Sequence, residues 1–278
     1  MNKWKYLTSK QQVAVLDIEV DTITDTLIVV SVGMVDKIYT IISKSMLTET
    51  VAGDEAAAKL NYLYDKYIPK NTLASKAKHE FVIVDTELEC VQLAFKKLHE
   101  WKPDIATIWN ITYSMGKMLA ILEKNHIDPK DVFSDPRLPE KLRYFKFQEG
   151  LKQFVTEAGT IIPIRLEEQW HKYIATAHFY WIDAMFLYNS SNVSGVRKLT
   201  SYSLGNVLKQ ELGDKLGKLK FADGLGENLY GLEWYMYMVD KRPLECIIYN
   251  QWDVMSVLEL DKKTNYLSIG VSKISCAS

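Results

Sequence analysis

Along this chain the spacing of apolar positions changes several times, and each change marks an element. VAVLDIEV (13–20) is apolar and β-branched, which predicts a buried strand. DTITD follows as a turn, and TLIVVSVGMV (26–35) and KIYTIIS (37–43) predict two more strands, so the chain opens on an antiparallel meander. EAAAKLNYLYDKYI (55–68) has helical spacing. DTELECVQLAFKKLHEW (85–101) is a stronger helix, with Asp85 or Thr86 as its N-cap and Leu88, Val91, Phe95 and Leu98 on one stripe. PDIATIW (103–109) predicts a strand and MGKMLAILEKN (115–125) a helix. IDPKDVFSDPRLPEK (127–141) holds three of the seven prolines and predicts a loop excursion. HFYWIDAMFLYN (178–189) reads as a strand running into a helix, with Asp183 at the junction as N-cap. TSYSLGNVLKQELG (200–213) is a capped helix ended by a glycine, GLGENLYG (224–231) a loop, and the remainder to about residue 262 helical. Strands first and mixed alternation afterwards predict one α/β domain spanning 1–278, a mixed sheet flanked by helices.

Composition narrows the class without naming a function. A chain of 278 residues, 47% hydrophobic and 25% charged, can bury a sizeable core. No apolar run approaches the roughly 20 residues of a membrane span, and MNKWKYLTSKQQ lacks the apolar centre of a signal peptide. Cys90, Cys246 and Cys276 have no metal-ligand spacing, so reduced thiols and a cytoplasmic location are expected. The net charge of −1 neither demands nor excludes nucleic acid, because a local basic groove can hide inside a neutral total. The five histidines are scattered, which argues against a histidine-led metal site. KLGKLK (215–220) reads as a solvated loop or as a contact to a phosphate backbone.

Two stretches carry candidate chemistry. Residues two apart on a strand share a face, so Asp17 and Glu19 point the same way out of LDIEV. Two carboxylates among apolar neighbours repel and lose solvation, and something positive must offset that; a divalent metal is one answer, a solvated edge strand the plainer one. Positions four apart on a helix stack on one face, so Tyr249 and Asp253 of YNQWDVMSVLEL project into the same space. An acid for a metal and a phenol to orient a water would suit phosphodiester hydrolysis, whereas a core tyrosine beside a surface acid needs no function at all.

In order, DIE (17–19), PDIATIWNI (103–111) and YNQWDV (249–254) resemble the three exonuclease motifs of family B DNA polymerases, in particular the proofreading region of T-even-type bacteriophage enzymes. FYWIDAMFLY, LTSYSLGNVL and GKLKF fall between them in the expected order, and the resemblance covers roughly residues 12 to 265. It implies a ribonuclease H-like fold of the DEDDy type and a 3′–5′ exonuclease that binds two Mg2+ or Mn2+ ions and removes 3′-terminal nucleotides from single-stranded DNA. Asp17, Glu19 and Asp253 would hold the metals, Tyr249 would orient the attacking water, and Asn110 and Tyr113 would lie near the DNA end.

The second motif departs from that pattern. Family members carry an aspartate after an aromatic residue there, whereas WNITYSMGKML places Ser114 at that position in the shorter register and Met115 in the longer one. No acid occurs between Asp104 and Glu123. A serine hydroxyl is a poor ligand for a hard divalent ion, so weak binding of the second metal and reduced or lost activity are expected. Family polymerases also carry an N-terminal domain and a palm; only 16 residues precede Asp17 and the chain stops at SIGVSKISCAS, so an exonuclease module without polymerase domains is expected. The runner-up is a non-catalytic module that holds a single-stranded 3′ end or docks on a separate polymerase subunit. A third reading is a nuclease acting on RNA, because nothing in the sequence identifies the sugar. Trp109, Tyr113, Phe179, Tyr180 and Trp181 are expected to be mainly core aromatics, with one or two left to stack on bases.

Overall fold

The computed structural model describes residues 11–47, 54–191, 199–219, 229 and 231–267. Its centre is a six-stranded mixed sheet in the order β10-β5-β1-β2-β3-β4. β1 (Val13–Asp21), β2 (Thr26–Met34) and β3 (Lys37–Ser43) form the expected antiparallel meander. β4 (Lys78–Val84) adds in parallel to β3, while β5 (Ile105–Ile108) and β10 (Tyr180–Asp183) extend the other edge, both parallel to β1. This arrangement is consistent with a ribonuclease H-like fold.

Strand periodicity divides the core into two layers. Ala14, Leu16, Ile18 and Val20 face one cluster with α2 (Glu87–Trp101) and α3 (Ile111–Lys124). Val13 and Val15 face the other, which holds α1 (Asp54–Tyr67), α5 (Ala184–Ser191), α6 (Leu204–Leu212) and α8 (Pro243–Thr264). Pro243 starts α8 where a missing N–H costs nothing, and separates it from α7 (Gly231–Lys241). α8 is buried on nearly every side between Leu244 and Leu260 and packs directly on β1 and β2. That closeness requires Gly33: a Cβ there would stand 2.6 Å from Val254 Cγ1.

Several predicted boundaries change. Thr86 caps α2 in a full capping box with Glu89. α3 begins at Ile111 rather than 115, so Tyr113 and Ser114 lie in its first turn. KHEFVIV forms β4, which the apolar pattern did not announce because its alternation is half-exposed. The excursion after α3 is larger and more ordered than a loop. α4 (Pro129–Phe133) buries Phe133 fully, β6 (Phe145–Gln148) pairs with β9 (Lys172–Ala175), and β7 (Gln153–Val155) pairs with β8 (Ile161–Pro163) as an exposed hairpin. Asp183 caps α5, accepting a bond from the Phe186 N–H at 3.0 Å. The expected loop at 224–230 lies outside the described residues save Leu229, as do the first ten residues, Lys220, Cys276 and the C-terminal stretch. Cys90 and Cys246 are buried and free.

Candidate metal centre

The alternation that buries Val13 and Val15 against α8 continues to Asp17 and Glu19, so both carboxylates emerge on the α8 side of the sheet. α8 answers with Asp253, one residue before the Val254 that touches Gly33. Ligand atoms of Asp17, Glu19 and Asp253 all lie within 4.8 Å of one another, a group of acids that could hold a metal ion. Glu19 and Asp253 are buried. The solvated-edge alternative therefore fails: β1 is a central strand, paired on both sides.

Neutral donors hold the acids in place. Asn250, one turn before Asp253, donates from Nδ2 to Asp17 Oδ2 at 3.0 Å. The Tyr235 hydroxyl clamps the strand next to Glu19, donating to the Val20 carbonyl at 2.9 Å and accepting from its N–H at 3.1 Å. This clamp sits where the β1–β2 register shifts between Glu19 and Val20, an irregularity of the kind that re-aims a side chain.

One cation is already built in. Lys218 Nζ donates to Asp253 Oδ2 and to the Tyr249 hydroxyl, each at 2.6 Å, and stands 4.7 Å over the Tyr249 ring. KLGKLK reads in the sequence as a solvated loop or a phosphate contact, neither of which reveals this role. The available signal is the need for positive charge beside Asp17 and Glu19, for which the sequence offers a metal or a solvated edge and a lysine serves as well. Asn250 and Tyr235 were missed as well, because an isolated amide or phenol on a helix carries no pattern.

Charge crowding shifts the acids upward. Burial, then repulsion from Asp253, pushes Glu19 up to about 7, against the pull of Lys218. Burial followed by Glu19 and Asp253 holds Asp17 well above the usual aspartate range. Burial also raises Asp253, with Lys218 opposing. Lys218 itself loses solvation, but the attraction of Asp253 and Tyr249 outweighs that and holds its ammonium above the ordinary lysine value. Asp253 Oδ1 is buried without a hydrogen-bond partner, an arrangement that costs free energy unless a cation or proton satisfies it. That orphaned oxygen, within a set of hard carboxylate donors, fits a divalent ion.

The acids lie at the carboxyl ends of the parallel strands, where α/β sheets usually bind ligands, in a cleft of about 670 Å³. Asp17, Asp253 and Lys218 line it together with Asn110, Tyr113 and Ser114 from the start of α3. Arg165, paired with Glu167 at 3.3 Å, and the 200–204 segment also line it, and that segment is tied to the residue after β5 by Trp109 Nε1 donating to the Tyr202 carbonyl at 3.0 Å. Ser114 lines the cleft, whereas Met115 packs fully buried in the core on the far side of the sheet. Tyr113 is 56% exposed, and Asn110 turns a buried, unpartnered Oδ1 at the head of α3. Tyr249 is half-buried against Trp234. Trp109, Phe179 and Trp181 are core aromatics as expected; Tyr180 is 79% exposed on the sheet edge instead. No helix among the described residues is long and apolar enough to cross a membrane. The chain matches no protein-family model, and no curated protein shows significant similarity to it.

Proposed function

We propose that this protein is a metal-dependent nuclease that removes nucleotides from the 3′ end of single-stranded DNA. The observation that carries the reading is the meeting of Asp17 and Glu19 from β1 with Asp253 from α8, Asp17 and Asp253 lining an open cleft. A magnesium or manganese ion held by these acids would supply Lewis-acid activation of water and neutralise charge on the leaving oxygen. Asp17, Glu19 and Asp253 fix its position. Tyr249, its ring packed on Trp234 and its hydroxyl held by Lys218, orients the water. Exposed Tyr113 offers a stacking face for an unpaired base.

Ser114 and the ion pair between Lys218 and Asp253 favour a second reading, a module that holds a 3′ single-stranded end, or a separate polymerase subunit, without cutting. The two separate in one assay. Incubated with 5′-labelled single-stranded DNA and Mg2+ or Mn2+, the wild-type protein is expected to give a slow, cation-dependent ladder that Asp253→Asn and Asp17→Asn abolish, with a matched RNA shortened more slowly. Retention of the DNA in a gel shift without shortening, by both the wild type and Ser114→Asp, would give the assignment to the binding module.

A further inference from the structure

We infer that this centre holds a single divalent ion, with the Lys218 ammonium occupying the role that a second ion would otherwise fill. The inference rests on the metal-nuclease reading and sharpens it. Asp253 has two oxygens with different fates: Oδ2 accepts from Lys218 at 2.6 Å, and Oδ1 is buried without a partner. One oxygen is thus spoken for by an ammonium, and one remains for a metal shared with Asp17 and Glu19.

The charges agree with that division. Asp17, Glu19 and Asp253 bring three negative charges to the centre, and Lys218 returns one positive, while Arg165 and Glu167, the other charged side chains lining the cleft, pair with each other. One divalent ion then brings the centre to neutrality, whereas a second would leave two uncompensated positive charges at a largely buried site, which desolvation disfavours. A second ion also needs an anionic ligand of its own, and neither Glu167, paired with Arg165 at 3.3 Å, nor the α3 wall supplies one. That wall presents Asn110, Tyr113 and Ser114, all uncharged, and the sequence from Ile105 to Leu122 contains no acid. Lys218 meets the geometric requirement too, because it touches Asp253 and Tyr249 together and so holds the phenol where the helix spacing aimed it.

The test counts bound Mn2+ on the full chain by the electron paramagnetic resonance signal of the free ion, which needs no nuclease activity. Wild type is expected to take up one Mn2+ per chain. Lys218→Gln, which keeps a donor but removes the charge, is expected to bind the first ion at least tenfold more tightly. The double variant Ser114→Asp with Lys218→Gln is expected to bind two. Lys218→Arg, which keeps the charge, serves as the folding control and is expected to bind one ion as the wild type does. Two ions of similar affinity in the wild type, or an unchanged affinity in Lys218→Gln, would overturn the inference and leave the metal-nuclease reading standing. No uptake by wild type or any variant would overturn that reading, and the inference with it.

Discussion

Glu19 carries a proton in the folded protein at pH values where the unfolded chain has lost it, because burial and Asp253 raise it to about 7 from an ordinary value of 4.5. Stability from this group is therefore highest below about pH 4.5, falls as pH rises towards 7, and stays low above that. A rise of that size corresponds to roughly 3 kcal/mol. In EDTA, Glu19→Gln is expected to melt near the wild-type temperature at pH 4.5 and several degrees above it at pH 7.5. Saturating Mn2+ reverses the order at pH 7.5, because the glutamine cannot serve as an anionic ligand. Equal pH dependence of the two melting curves in EDTA would mean that Glu19 is solvated.

Among the elements, α8 matters most, because it brings Asp253, Tyr249 and Asn250 onto the sheet in one rigid piece. Its depth is set by Gly33 on β2, where an alanine Cβ would meet Val254 Cγ1 at 2.6 Å and Met255 Sδ at 3.1 Å. Beside this contact, Gln251 Nε2 donates to Thr40 Oγ1 at 2.9 Å, and Thr40 shares a bond with Ser31, the residue paired with Asp17 on the neighbouring strand. Gly33→Ala is expected to destabilise the protein by about 1–3 kcal/mol in urea denaturation, the usual cost of overpacking. It is also expected to weaken Mn2+ binding, because Asp253 moves with Val254. Adding Val254→Ala relieves the clash and restores most of both. If the single variant unfolds at the wild-type midpoint, the helix is not held at that depth.

At the scale of the molecule, a metal held by these acids would link β1 to α8, elements far apart in the order of the chain. An ion that binds only where Asp17, Glu19 and Asp253 meet binds the folded state alone. At a free concentration of about 100 times Kd it adds about 2.7 kcal/mol. The melting temperature is expected to rise by roughly 5–10 °C with Mn2+ or Mg2+ at pH 7.5, and EDTA should return it. Asp253→Asn should abolish the rise. A melting temperature indifferent to both cations would remove the metal from the account.

Period and spacing were enough to read the meander, the two carboxylates sharing one face of β1, the Thr86 cap and the i,i+4 pairing of Tyr249 with Asp253, because these depend on neighbours within a few residues. The strand order, the 4.8 Å convergence of three acids and the choice of Ser114 over Met115 as the cleft-lining residue needed the tertiary fold. β4 and the paired strands of the excursion escaped notice because their stability comes from partners distant in sequence. Lys218 is the sharpest case. A lysine in a glycine-flanked loop has no local reason to leave water; the field of carboxylates contributed by β1 and α8 draws it in, and that field exists only once the chain has folded.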